Sequence, residues 1–289
     1  MSHIPVLLKE VLENLKPEAG EFFIDCTLGD GGHAKEILEK IGEKGKMLLL
    51  DWDKENISRF KKERIKNAVL QEGNYAEAEK FLGKEKADGL LADLGFSSRQ
   101  LKESGRGFSF NRDGEEPLLM TYSDESEPVV EILRRLTEEE LANVIYQYGG
   151  ERYSRRIAKA IKEEERRGKI ETNGKLAEVV RRALLRGYER GRIDPATRTF
   201  QALRIYANRE LENLEELLKS LPEIMKSGGR AGIITFHSLE DKLVKNYFKN
   251  YEKEGKATLL NKKPISASRE EIEKNPRSRS AKLRIIKFN

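Results

Sequence analysis

Three aspartates, Asp25, Asp51 and Asp93, each close a short apolar run, and Asp25 is soon followed by Gly29, Gly31, Gly32 and His33. Carboxylates at strand ends beside a glycine turn are groups that hold a ligand carrying adenosine. Glycines let the backbone turn sharply and approach a ligand with no Cβ in the way. Asp51 is placed to hydrogen-bond both ribose hydroxyls, or else to cap a helix from Lys54 onward. Trp52 and Tyr75 could flank an adenine, or simply pack. His33 falls near a helix N-terminus, which disfavours its protonated form. Its expected role is binding or positioning, not general-base catalysis.

This pattern leaves two ligand classes open, a dinucleotide and S-adenosylmethionine. Two features lean toward the methyl donor. The third glycine of GxGxxG is missing, since the turn reads Gly29-Asp30-Gly31-Gly32-His33. The run ending at Asp93 leads into a polar loop, Leu94-Gly95-Phe96-Ser97-Ser98, a place for a methyl acceptor. A nicotinamide-dependent oxidoreductase is the competing enzyme class. A non-catalytic RNA-binding or ribosome-assembly protein with a vestigial pocket is the competing non-enzyme.

Arginines suggest the acceptor. Arg99, Arg106 and Arg112 share a loop with Phe108 and Phe110. Arg181, Arg182, Arg186, Arg190 and Arg192 run through a helical stretch, followed by Arg198 and Arg204. Arg277, Arg279, Lys282 and Arg284 come near the end. Arginine interleaved with aromatic residues suits phosphate contact and base stacking. The alternative is an ordinary charged surface. The net charge of +5 and a pI near 9.0 permit a polyanionic partner without requiring one. Abundant Lys and Glu, with four Gln and one Cys, hint at growth at high temperature. The lone Cys26 supports no disulfide framework. His3, His33 and His237 lack metal-ligand spacing, so no metal is expected. No leader-like segment or apolar run of membrane length occurs, and a cytoplasmic protein without a membrane partner is expected. The oligomeric state stays open.

The elements that must position these groups alternate. Strands are expected at Phe22–Ile24, Lys46–Leu50, Ala68–Leu70 and Ala87–Ala92. Helices follow the first, second and third, and another precedes the first, over His3–Leu15. Such alternation predicts an α/β fold with a mainly parallel, doubly wound sheet. From Leu94 to Tyr122 the chain is too polar and glycine-rich for a packed element and reads as a long functional loop. From Pro128 to Ala207 it is helical and charged, with Thr137 and Glu140 forming a capping box. The α/β pattern returns with a helix over Leu211–Met225, a turn at Gly228-Gly229, a strand over Ala231–Phe236 and a helix reaching Tyr251. Short strands are expected near Thr258–Asn261 and Lys282–Phe288, with a basic loop, Asn275–Ser280, between them. The expected division is 1–105 and 211–289 for the sheet domain, and 106–210 for an inserted helical domain with its loop.

The sequence also resembles the RsmH (MraW) methyltransferase family. The matching stretches are His3–Leu8, Asp25–His33, Asp88–Ser98, Arg106–Phe110, Pro195–Ile205, Phe236–Asp241 and Asn275–Arg284, so the likeness covers nearly the whole chain. It implies a class I methyltransferase sheet, Rossmann-like, with an inserted all-helical domain. It implies S-adenosylmethionine as cofactor, with contacts at Gly31, Gly32, His33, Asp51, Tyr75, Asp93 and Gln100. It implies methylation of N4 of a cytidine in the decoding centre of small-subunit (16S) ribosomal RNA, with the small subunit or its RNA as partner. Arg106, Arg198, Arg277 and Arg279 are then the candidate RNA contacts. Asp93 is the candidate catalytic residue, with cofactor holding as the rival role. Two departures stand out. After Asp113-Gly114 the family usually reads PLDMRM, where this chain has Glu115-Glu116 and then Pro117-Leu118-Leu119-Met120-Thr121-Tyr122. Asp194 stands where the family usually has His. The polar-Pro-Pro-Tyr motif of other amino-methyltransferases is absent, and Asp93–Ser98 occupies its place.

Overall fold

The computed structural model describes residues 4–63, 65–95, 104–109, 115–184 and 194–289. The chain divides into two compact units, one built from residues 1–95 and 211–289 and the other from 96–210.

The first unit is a sheet covered on both faces. Its strands are β1 (Phe22–Asp25), β2 (Lys46–Asp51), β3 (Ala68–Glu72), β4 (Ala87–Asp93), β5 (Met225–Thr235), β6 (Ala257–Leu259), β7 (Ile265–Ser266) and β8 (Lys282–Phe288). They lie in the order β3-β2-β1-β4-β5-β8-β6, with β7 paired to β8. Strands β1 to β5 run parallel, while β8 is antiparallel to both β5 and β6. Side chains of a strand alternate between faces, so a sheet covered twice needs near-continuous apolar runs. Phe22, Ile24, Leu48, Leu50 and Leu90 enter one core and Phe23, Met47, Leu49 and Leu91 the other. Helices α1 (Leu8–Leu15), α2 (Gly32–Ile41) and α3 (Lys54–Lys61) belong to the second of these cores, which includes Leu15, Ile37 and Phe60. The short helix α4 (Ala78–Leu82) contributes Ala78 and Leu82 to the first.

The helical unit contains α5 (Val129–Arg135), α6 (Glu138–Gly149), α7 (Ser154–Arg167), α8 (Asn173–Ala183) and α9 (Thr197–Ala207). Thr137 and Glu140 form the expected capping box at the start of α6. The core of this unit, including Leu133, Leu141, Ile157, Val180 and Leu203, is drawn from its own residues. The departure at 115–122 has a structural role. The Glu116 carboxylate accepts from Gly107 N, Leu118 and Met120 are buried, and Asn208 Nδ2 donates to the Met120 carbonyl. The Asp194 carboxylate takes three bonds from Arg181, at 3.3, 3.0 and 2.7 Å, and one from Ala196 N.

The remaining helices are α10 (Glu210–Ile224), α11 (Ser238–Lys253) and α12 (Arg269–Lys274). Pro222 lies inside α10. A proline there removes the N–H that would reach the carbonyl four residues back. That carbonyl, on Leu218, instead accepts from the Tyr251 hydroxyl of α11 at 2.7 Å.

Several local expectations need correction. Strand β5 begins at Met225, not after the diglycine. Gly228 and Gly229 sit in an irregularity where Ala87 pairs with Met225 but Gly89 with Arg230. The stretch 275–280 is not a plain loop, because Pro276–Ser280 forms a 3-10 turn that buries Ser278. Helix α8 ends at Ala183, short of Arg186, and Arg186 lies outside the described residues.

Candidate active site

The carboxyl edge of β1, β2 and β4 is tied together by the turn that follows β1. Cys26 N donates to the Leu91 carbonyl and Leu28 N to that of Leu50. Thr27 N donates to Asp25 Oδ1 at 3.0 Å, and Thr27 Oγ1 accepts from Asp93 N at 2.7 Å. Gly29 N donates to Asp51 Oδ2 at 2.7 Å. The turn is therefore anchored to both neighbouring strands before α2 begins.

Asp51 is buried and accepts three hydrogen bonds. Besides Gly29 N, Asn56 Nδ2 reaches Oδ2 at 3.0 Å and Asp53 N reaches Oδ1 at 2.7 Å. It does not cap α3, because that cap is the Asp53 side chain, which accepts from Glu55 N. A carboxylate offers about four lone-pair sites, so one on Oδ1 remains for a hydroxyl. Burial pushes the Asp51 carboxyl up to about 6, against the pull of the three donors. Asp25 is pushed further, to about 7. Burial is the main cause, the Thr27 N–H opposes it, and the carboxylates of Asp93 and Asp51 add repulsion.

Gly31 and Gly32 are also packed tightly against the protein itself. Gly31 has φ +78°, and a Cβ there would meet the Phe60 ring at 2.3 Å. A Cβ on Gly32 would meet Pro5 at 2.4 Å. Their missing side chains make room for α3 and for the segment before α1. That segment is held from both ends of the sequence. Leu7 N donates to Glu271 Oε1 at 2.7 Å, Asn275 Nδ2 donates to the Ile4 carbonyl at 3.1 Å, and the Val6 carbonyl lies 2.9 Å from His33 Nε2.

A carbonyl can only accept, so His33 Nε2 carries a proton. Nδ1 then faces Asp93 Oδ2 at 3.8 Å. His33 is buried and Asp93 partly so. The Asp93 Oδ1 atom accepts from Gly95 N at 3.1 Å. Tyr75 opens a 3-10 turn after β3 and is half-buried. The Gly73 N–H donates to the Asp51 carbonyl and keeps that turn at the edge of β2.

Thus Gly31, Gly32, His33, Asp51, Tyr75 and Asp93 all belong to the carboxyl edge of the sheet unit. Gln100 lies outside the described residues, as do Arg99, Arg112, Arg190 and Arg192. Arg277 joins the same edge, since its guanidinium interacts with Asp30 of the glycine turn and burial lowers its pKa. Asp30 also accepts from Arg59 at 2.8 Å. Arg279 is exposed on the same 3-10 turn as Arg277. In the helical unit Arg106 donates to Asp124 at 2.6 Å and to the Thr121 carbonyl at 3.2 Å. Arg198 stands 3.6 Å from the buried Glu151. Sequence reasoning missed Thr27, Asp30 and the Pro5–Val6 strap. A threonine two residues after a strand-ending aspartate is the one local signal, and it is a weak one.

A donor set of carboxylates and backbone groups, with Asp25 and Asp51 themselves short of positive partners, fits a cationic ligand that carries ribose. A sulfonium nucleoside is such a ligand. The antiparallel β8 between β5 and β6, closing a sheet otherwise wound like a nucleotide-binding one, gives the chain the fold of the class I methyltransferases, the class that uses S-adenosylmethionine. A model of the MraW methylase family matches residues 1–289. The chain belongs to that family, and a nicotinamide oxidoreductase is no longer a competing reading.

Similar proteins span the whole length. Ribosomal RNA small subunit methyltransferase H of Rickettsia akari (strain Hartford) is 42% identical over 308 residues, covering 99% of this chain and 98% of the relative. The protein of the same name from Wolbachia pipientis subsp. Culex pipiens (strain wPip) is 44% identical over 297 residues, covering 99% of each. Among solved structures, PH0851 superposes with a TM-score of 0.50 at 17% identity, over 99% of this chain and 46% of that one. That likeness concerns the fold alone. Among the described residues no helix is long and apolar enough to cross a membrane.

Proposed function

We propose that this protein transfers a methyl group from S-adenosylmethionine to the N4 amine of a cytidine in the decoding centre of small-subunit ribosomal RNA, acting in the cytoplasm. The observation that carries this reading is the full-length similarity, at 42% and 44% identity, to proteins named for methylation of that RNA. Gly31, Gly32, His33, Asp51, Tyr75, Asp93 and Gln100 are the proposed cofactor contacts. Arg106, Arg198, Arg277 and Arg279 are the proposed RNA contacts, and residues 106–210 the inserted helical domain.

S-adenosylmethionine supplies an electrophilic methyl group on a sulfonium sulfur. The residues at the carboxyl edge do the rest. Asp51 Oδ1 has one lone pair left for a ribose hydroxyl. The carboxylates of Asp51 and Asp93 favour a positive ligand at this edge. The cytosine amine is a poor nucleophile, because its lone pair is delocalised into the ring. As it attacks, its nitrogen becomes positive and its protons more acidic. Asp93 Oδ2 accepts an N4–H hydrogen bond and then the proton. His33 Nδ1 stands 3.8 Å from that oxygen, beyond hydrogen-bond reach. The main contribution is to hold donor and acceptor in contact with the base unstacked.

The test is incubation with labelled S-adenosylmethionine and small ribosomal subunits, followed by mass spectrometry of the RNA. Label on a cytidine N4 is expected. Label on another atom would move the reaction elsewhere, and no label with tight RNA binding would favour a non-catalytic assembly protein.

A further inference from the structure

Among the described residues, many cations have an acid beside them. Lys9 pairs with Glu13, Lys80 with Glu77, Lys175 with Glu164, Lys219 with Glu216, and Lys274 with Glu270. Helix α11 instead lines up several without one. Lys242, Lys245, Lys249 and Lys253 recur at intervals of three and four residues, so they share one face of the helix. All four are exposed, and among the described residues none has an acidic partner. The opposite face, with Val244, Phe248 and Tyr251, is buried.

The acids of α11 are committed elsewhere. Glu240 closes the capping box at His237. Asp241 accepts from Arg284 at 2.7 Å and from Lys282 at 3.2 Å. Glu252 accepts from Leu259 N at 3.3 Å. The lysine face is therefore left uncompensated, and like charges at such spacing repel one another. Lys245 and Lys249 also line a small hollow together with Lys262, Phe248, Leu259 and Arg284. Lys262 is again exposed and has no acidic partner among the described residues.

The stripe has a direction. Strand β5 pairs with β4, with Ile234 opposite Asp93, and α11 starts three residues after Thr235. Lys242 is thus at the end of the helix near the candidate site. Lys253 is about 16 Å further along the axis at 1.5 Å per residue.

We propose that the lysine face of α11, continued by Lys262, is a second RNA contact surface. It takes the phosphates of a single-stranded or looped segment next to the one that enters the site. This rests on the functional reading above and goes beyond the arginines assigned there. The partner is an extended polyanion, because a row of cations over several helical turns matches repeated charges and not one phosphate.

The experiment compares the wild type with Lys245→Gln/Lys249→Gln/Lys253→Gln, and with a control that neutralises paired lysines, Lys175→Gln/Lys219→Gln/Lys274→Gln. Binding to small-subunit RNA is measured from low to high salt, alongside thermal unfolding, S-adenosylmethionine affinity and binding to phosphatidylserine vesicles. The α11 variant is expected to unfold as the wild type does, bind the cofactor equally, and show a log–log salt slope flatter by about 2, given about 0.7 per contact on single strands. An unchanged slope overturns the proposal, as does an equal flattening in the control, which would reflect net charge alone. Vesicle binding lost in the α11 variant with an unchanged RNA slope would assign the face to membranes instead. A wild type that methylates the small subunit while the slope stays unchanged refutes only this surface. A wild type that neither binds nor methylates the RNA refutes the functional reading and this surface with it.

Discussion

Asp93 separates two roles that the same position could serve. Asp93→Asn keeps the size and the acceptor for Gly95 N but removes the charge. With Asp93 as proton acceptor, turnover falls by roughly 10²–10⁴-fold with little change in cofactor affinity. Calorimetry and single-turnover rates at saturating cofactor decide this, and a rate restored by saturation would leave Asp93 a cofactor ligand only. Asp25 carries a pH dependence. Its carboxyl is held near 7, against an ordinary value of 3.8. The unfolded chain releases this proton first as pH rises through about 4, so the folded state loses stability until about pH 7, where Asp25 ionises in place. Asp25→Asn, whose amide oxygen still accepts from Thr27 N, is expected to match the wild type at pH 4. At pH 7.5 it should exceed it by roughly 2–4 kcal/mol in urea unfolding. Equal stability at both pH values would mean that Asp25 ionises at no cost. These acids were legible in the sequence because each interrupts an apolar run at its end. The partners of His33 were not, since the Val6 carbonyl is backbone and Asp93 is sixty residues away.

At the scale of elements, the glycine turn was legible in the sequence but its packing was not. Phe60 and Pro5 fill the space above Gly31 and Gly32, and neither neighbour could be inferred from local spacing. Gly31→Ala therefore tests packing before it tests ligand binding. Its positive φ and the collision with Phe60 are expected to lower stability by about 1–3 kcal/mol, measured by urea unfolding without cofactor. Recovery of part of that loss by adding Phe60→Leu would confirm the collision, and a fully stable Gly31→Ala would remove it. The strands were legible because burial on two faces leaves continuous apolar runs. The bulge at Gly228-Gly229 was not, because a diglycine reads equally as a turn before a strand. The helix over Leu211–Met225 was legible from its apolar spacing despite Pro222, but the Tyr251 hydroxyl that takes up the Leu218 carbonyl was not, since it comes from another helix.

At the scale of the whole molecule, the two units keep separate cores. The helical unit is continuous in sequence and buries its own apolar faces. A chain of residues 96–210 is expected to fold alone, with helical circular dichroism and a cooperative urea transition. A gradual, non-cooperative loss of signal would show that its core depends on the sheet unit. The change of composition near Leu94 made a division legible. The reason the chain can leave the sheet there lies in the pairing order, since β4 and β5 are neighbours although the whole helical unit separates them in sequence.

That interruption has a consequence in time. On the ribosome β4 emerges long before β5, with residues 94–224 made in between. At about 5–20 residues per second, the interval is on the order of ten seconds. Throughout it the apolar edge of β4, with Leu90 and Leu91, has no β5 to pair with, and unpaired edges of this kind invite aggregation. The helical unit can fold during the wait, so the half-made sheet is the vulnerable species. Synthesis that stalls between β4 and β5 should leave nascent chains that depend on chaperones, whereas a stall after β8 should not.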